Sequence, residues 1–109
     1  MLITLLRHAA FWVPFAVTTY FAFGPPTEII PPQITDVIAH ASAFFYLTFA
    51  CWVVYYRNGN GITPVAWMAA YGIAIEIVQA FLPDRTFEFK DMAVDAAGIA
   101  AAWMVYRAA

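Results

Sequence analysis

Four long apolar stretches run along the chain, separated by short breaks rich in proline, glycine or charge. A helix that crosses a membrane needs about 20 mainly apolar residues. Four windows meet or approach that length: residues 2–23, 37–56, 64–82 and 92–106. Their apolar runs are unbroken and rich in alanine. A strand of a transmembrane barrel would instead alternate apolar and polar residues over about 10 positions. The pattern therefore predicts helices.

The breaks are brief. Gly24 to Thr35 holds Pro25-Pro26 and Pro31-Pro32 and is expected to be stiff and extended. Arg57 to Thr63 contains Asn58-Gly59-Asn60-Gly61, a strong turn signal. Pro83 to Lys90 carries Asp84, Arg85, Glu88 and Lys90 and is expected at the water boundary. Helices joined this closely run antiparallel. The expectation is an all-α membrane protein, an up-down bundle of four transmembrane helices forming a single domain over residues 1–109. Pro14 lies inside the first span and is expected to kink it.

Composition strengthens this picture. The chain is 64% hydrophobic, 18% aromatic and only 11% charged. Soluble domains carry about 25% charged residues, so lipid is the expected solvent for most side chains. The net charge is −2 and no basic stripe is present, which argues against nucleic acid as a partner. Cys51 is the single cysteine, so neither an intrachain disulfide nor a cysteine zinc cluster can form. It reads as a small apolar filler. The N-terminal stretch lacks a clear small-x-small cleavage site and reads as a membrane anchor, with Arg7 able to reach the headgroups.

Orientation follows from Lys and Arg. Four spans put Arg7, Arg57 and Arg107 on one side, and Arg85 and Lys90 on the other. This bias predicts both termini in the cytoplasm. A faint echo links residues 36–42 (Asp-Val-Ile-Ala-His-Ala-Ser) with 91–97 (Asp-Met-Ala-Val-Asp-Ala-Ala). Two alanine-rich strings can match by chance, although a parallel repeat would look the same.

Depth brings the candidate chemistry together. The second span starts, the third ends and the fourth starts at one membrane face. Asp36 and His40 open the second span, Glu76 and Gln79 lie near the end of the third, and Asp91 and Asp95 open the fourth. Arg85 sits in the connection between the last two. At roughly 1.5 Å per residue, His40, Glu76 and Asp95 fall at similar levels on three helices. The spacings i,i+3 and i,i+4 put each pair on one helix face.

Ionisable groups facing lipid cost about 2.5–3.5 kcal/mol each on insertion scales, so these are expected to point inward. Asp36 and Asp91 also suit helix caps or first turns, where the dipole favours acids. Glu76, embedded in an apolar run, has no helix end to cap. Four carboxylates against Arg85 leave a negative excess. Protons, a cation or a cationic ligand must offset it, and Glu76 is the carboxyl expected to be protonated or hydrogen-bonded.

These residues, in this order, resemble the VanZ-like family of small bacterial membrane proteins. The resemblance rests on Asp36-x3-His40 with Phe44, on Glu76-x2-Gln79, on Pro83-x-Arg85, and on Asp91-x3-Asp95-x2-Gly98. It covers more than half of the chain. Two positions depart from the family pattern: Val37 stands where a lysine is frequent, and Asp95 where asparagine is frequent. Both departures make the cluster more negative. The resemblance implies a multi-span protein of the bacterial cytoplasmic membrane, in a family whose founding member is linked to glycopeptide resistance.

Three functions compete. In the first, Asp36, His40, Glu76, Gln79, Arg85, Asp91 and Asp95 bind or modify an envelope lipid or glycan precursor. His40 or Glu76 would be the general acid or base, and Arg85 would hold phosphate or carboxylate. His40, Glu76, Asp91 and Asp95 are also the candidate ligands of a hard divalent metal. The bland counterpart is a satisfied polar network that locks the helices together.

In the second, the chain is a non-catalytic accessory subunit whose aromatics pack against other membrane protein subunits or pigments. His8 is then a candidate pigment or haem ligand, although a lone interfacial histidine is more often unligated. No cofactor is named by the sequence. In the third, the carboxylates form part of a proton or ion path. Between Phe44 and Tyr56 only Thr48 and Cys51 are even weakly polar, which argues against a complete path through one monomer.

Overall fold

The computed structural model describes residues 1–23, 32–59, 61–82 and 89–108. Among these residues the chain is all-helical: α1 (Leu2–Phe23), α2 (Pro32–Cys51), α3 (Ile62–Ala80) and α4 (Phe89–Ala108). A π-helical turn, Trp52–Tyr56, continues α2. Three helices are long and apolar enough to cross a membrane, over Leu2–Phe21, Ile38–Tyr56 and Ile62–Ala80. The fourth predicted span falls on α4, which is 20 residues long but carries Lys90, Asp91, Asp95 and Arg107. These charges dilute a stretch in which alanine is the commonest residue.

Helix starts differ from expectation. α2 begins at Pro32, five residues before the predicted span. Proline is well tolerated in a first turn, because its missing N–H has no intrahelical partner there anyway. The expected extended connection therefore ends before Pro32, and its residues 24–31 lie outside the described residues. With the helix starting so early, Asp36 is not a cap or a first-turn acid. α4 begins at Phe89, so Lys90 is helical rather than part of a loop, and Asp91 falls in the first turn as expected.

Small residues set the closest approach. A Cβ placed on Gly98 would lie 2.5 Å from the carbonyl oxygen of Ala41 and 3.1 Å from the backbone nitrogen of Phe45. Only glycine lets α4 rest directly on the α2 backbone, the small-residue packing that membrane helices use in place of a hydrophobic driving force. The two helices run in the same direction, with His40 beside Asp95 near their starts and Trp52 stacked on Tyr106 near their ends. α3 runs opposite to α4. Its Gly72 lies against Asp95, and its start is tied to the far end of α4 by the Tyr106 hydroxyl, which donates to the Gly61 carbonyl. Phe44, Leu47, Met68, Ile75 and Ile99 fill the space between these helices.

α1 lies on the outside, with Phe11 its one buried residue among those described. Polar ties replace close packing there. Pro14 lacks the N–H that would bond to the Ala10 carbonyl. The hydroxyl of Tyr46 on α2 donates to that same carbonyl at 2.7 Å. The Thr19 hydroxyl lies 2.8 Å from the Phe15 carbonyl of its own helix and 2.6 Å from the Tyr71 hydroxyl on α3. In a lipid-facing setting, each such bond satisfies a group that no water could reach.

The π-turn explains how one helix end serves two neighbours. Residues three apart share a face in an α-helix. An i→i+5 turn rotates less per residue, so such residues diverge. Trp52 thus stacks on Tyr106 of α4, with ring centroids 4.7 Å apart. Tyr55 turns to α1, where its hydroxyl accepts the Trp12 indole N–H at 2.6 Å.

Candidate functional site

The sequence expectation concerns the end where α2 and α4 start and α3 stops. The stripe Asp91, Asp95, Gly98, Ala102, Tyr106 repeats at helical spacing along α4 and turns toward the bundle. Asp95 is 3% exposed and lies one turn before the glycine contact with Ala41. Because Gly98 draws the two backbones together, the side chain of Asp95 meets His40 of α2. His40 Nδ1 lies 3.1 Å from Asp95 Oδ1.

An ionised carboxylate can only accept, so against an ionised Asp95 it is Nδ1 that carries the hydrogen. In a neutral imidazole this leaves Nε2 as the lone-pair nitrogen, the tautomer that a carboxylate fixes when a histidine is to act as a base. The His40 side chain is 24% exposed, against 4% for Asp95. The pair therefore has one reachable member and one sealed member.

The second oxygen of Asp95 faces α3. Oδ2 would lie 3.4 Å from a Cβ on Gly72, and among the described residues it has no hydrogen-bond donor. Glu76 sits one turn further along the same α3 face. It is 0% exposed, and both carboxyl oxygens are fully enclosed. Gln79, the next turn, is 5% exposed. Gly72, Ile75, Glu76 and Gln79 form the inward stripe of α3. Glu76 thus points into the bundle and not at lipid.

The remaining candidates fall less centrally. Asp91 is half-buried one turn before Asp95. Asp36 lies in α2 one turn before His40, and its side chain lies outside the described residues. Arg85 and the Pro83 motif also lie outside them. Among the described residues, no group of three or more His, Cys, Asp and Glu side chains is placed to hold a metal ion. Thr48 donates to the Phe44 carbonyl of its own helix, and Cys51 is buried.

Sequence reasoning missed the polar cluster at the other end. The Tyr55 hydroxyl accepts from Trp12 and lies 2.7 Å from Nδ1 of His8. His8 is thus a hydrogen-bond partner of Tyr55. Nothing in the spacing of residues 8, 12 and 55 signals this contact, because it depends on the π-turn. The Tyr46 bond was more accessible: a proline inside a helix always frees the carbonyl four residues before it.

These features define a helical protein with membrane-length spans and a buried histidine–carboxylate pair between them. A family model described as VanZ/LLP1 matches residues 3–109, and the chain belongs to that family. It is also similar to an uncharacterized protein of Schizosaccharomyces pombe, with 29% identity over 100 residues. That alignment covers 89% of this chain and 60% of the relative. The chain thus spans less than two thirds of that protein's length, and the likeness is not confined to bacterial proteins. No solved structure matches.

Proposed function

We propose that the chain is a four-span, up-down membrane bundle of the cytoplasmic membrane with both termini inside, and that its acidic pocket binds or modifies a lipid or glycan precursor of the cell envelope. One observation carries the reading: the partly exposed His40 is held by the sealed Asp95, on helices packed against the helix that carries the enclosed Glu76. Ionisable groups at membrane depth are costly and mark ligand or proton sites by default. His40 is the group that reaches a ligand and can accept or donate a proton. Asp95 orients it. Glu76 offers a carboxyl that the apolar surroundings keep from water, and Arg85 is the candidate phosphate holder. The fourth span is α4, whose charges at Asp91 and Asp95 turn inward or lie near its start.

The test compares His40→Gln, Glu76→Gln and Asp95→Asn with the parent chain, each purified from native membranes in mild detergent. Mass spectrometry of the co-purified lipids supplies the readout, and thermal melting checks assembly. Loss of a retained lipid or lipid-linked sugar in melting-competent variants supports the reading. Unchanged lipid content in all three variants overturns it. A stoichiometric partner chain together with unchanged lipid content would favour the accessory-subunit alternative.

A further inference from the structure

The opposite end of the bundle holds a second feature, independent of the acidic cluster. A cavity of about 530 Å³ opens there, lined by Arg7, Val54, Tyr55, Arg57, Asn58 and Gly59. It is the right size for a small ligand, since such sites occupy roughly 300–1,000 Å³. Its two cations come from different elements: Arg7 from the second turn of α1, and Arg57 from the residue that closes the π-turn. The Trp12–Tyr55 hydrogen bond and the His8–Tyr55 contact fix α1 against that turn, and so fix the two arginines on one cavity.

Charge decides what this cavity can take. All seven Asp and Glu residues of the chain lie within residues 28–36 or 76–95 of the sequence, and those on the described helices lie toward the other end. Among the described residues neither Arg7 nor Arg57 has a carboxylate partner. Two guanidinium groups facing one polar cavity without counter-charge repel each other until an anion joins them. Arginine matches phosphate with paired N–H donors. Basic pockets between membrane helices are the usual seats of phospholipid headgroups.

We infer that Arg7 and Arg57 form a phosphate-binding site for an anionic phospholipid headgroup or a free phosphate. A headgroup would lie between α1 and the end of α2 and would tie the outer helix to the core. The site does not depend on the function proposed for His40 and Glu76.

The test uses the full chain in detergent micelles. Native mass spectrometry would follow titration with phosphatidylglycerol, phosphatidylcholine and inorganic phosphate. Phosphatidylglycerol should bind at least about fivefold more tightly than phosphatidylcholine. Arg7→Gln and Arg57→Gln should each weaken it about fivefold, the equivalent of ~1 kcal/mol per arginine.

Arg107→Gln is the control. Arg107 is a third cation toward the same end, and it lies over the Trp103 ring at 4.7 Å, outside the cavity. It should leave binding unchanged. Competition by millimolar inorganic phosphate identifies a site filled from water, and its failure identifies the headgroup. Equal weakening by Arg107→Gln, or none by either cavity variant, overturns the inference. If Arg7→Gln does not assemble, Arg7→Lys keeps the charge and loses the paired donors, and it should weaken binding by a smaller but measurable factor.

Discussion

The two ends of this bundle handle charge in opposite ways. At the end where α2 and α4 start, carboxylates are drawn inside, and one of them is met by a partner on a neighbouring helix. His40 and Asp95 touch at 3.1 Å, and Glu76 is wholly enclosed. At the other end, Arg7 and Arg57 stay exposed around an open cavity. The difference follows from side-chain length. A short Asp or Glu cannot reach water from within a span and must find its partner inside, whereas a long arginine extends to the interface. The lesson is that the acidic end is fixed by folding, while the basic end leaves its charges available to something else.

The sharpest way to break the acidic end is to push its helices apart. Gly98→Leu would drive a side chain into the backbone of Ala41 and Phe45. It should cost about 3 kcal/mol or more, read as a fall in thermal stability in micelles, and it should separate His40 from Asp95. The basic end should keep its phosphate affinity wherever the chain still assembles.

A smaller loss is expected from His40→Ala. It removes the partner of a sealed carboxylate and should destabilise by about 1–3 kcal/mol. Asp95→Asn keeps an acceptor for Nδ1 and should cost less. A larger loss for Asp95→Asn than for His40→Ala would contradict the pairing. The least effect should come from Tyr46→Phe, which leaves the Ala10 carbonyl without its donor and should cost about 0.6 kcal/mol, the average for such bonds in membrane proteins. A loss as large as that of His40→Ala would mean that α1 is no peripheral helix.

Much of the acidic end was legible in the sequence, because depth and helical spacing are simple arithmetic. Placing His40, Glu76 and Asp95 at one level needed only the span starts and the rise per residue. The His40–Asp95 part of that reading survived an error of five residues in the start of α2, whereas Gly72 is the α3 residue against Asp95, with Glu76 one turn further along. Gly98 was visible as part of a motif, but its task was not. A glycine near a carboxylate says nothing about which backbone it will touch. The echo between residues 36–42 and 91–97 gains a physical meaning from the parallel course of α2 and α4, which sets its matching positions 40 and 95 face to face.

The basic end was read only for orientation and for the reach of Arg7 to the headgroups. Its geometry depends on the turn at Trp52–Tyr56, and no local residue pattern announces a π-turn there. Without that turn, Tyr55 would not reach Trp12, and Arg7 and Arg57 would remain unrelated positions on separate helices.

The contact between Ala41 and Gly98 also bears on how the protein is made. Its members lie far apart in the chain, so the seam that seals Asp95 cannot close until α4 has been made. Until then His40 waits in an unfinished assembly without its carboxylate. Synthesis of α4 is the step that supplies this histidine with its carboxylate.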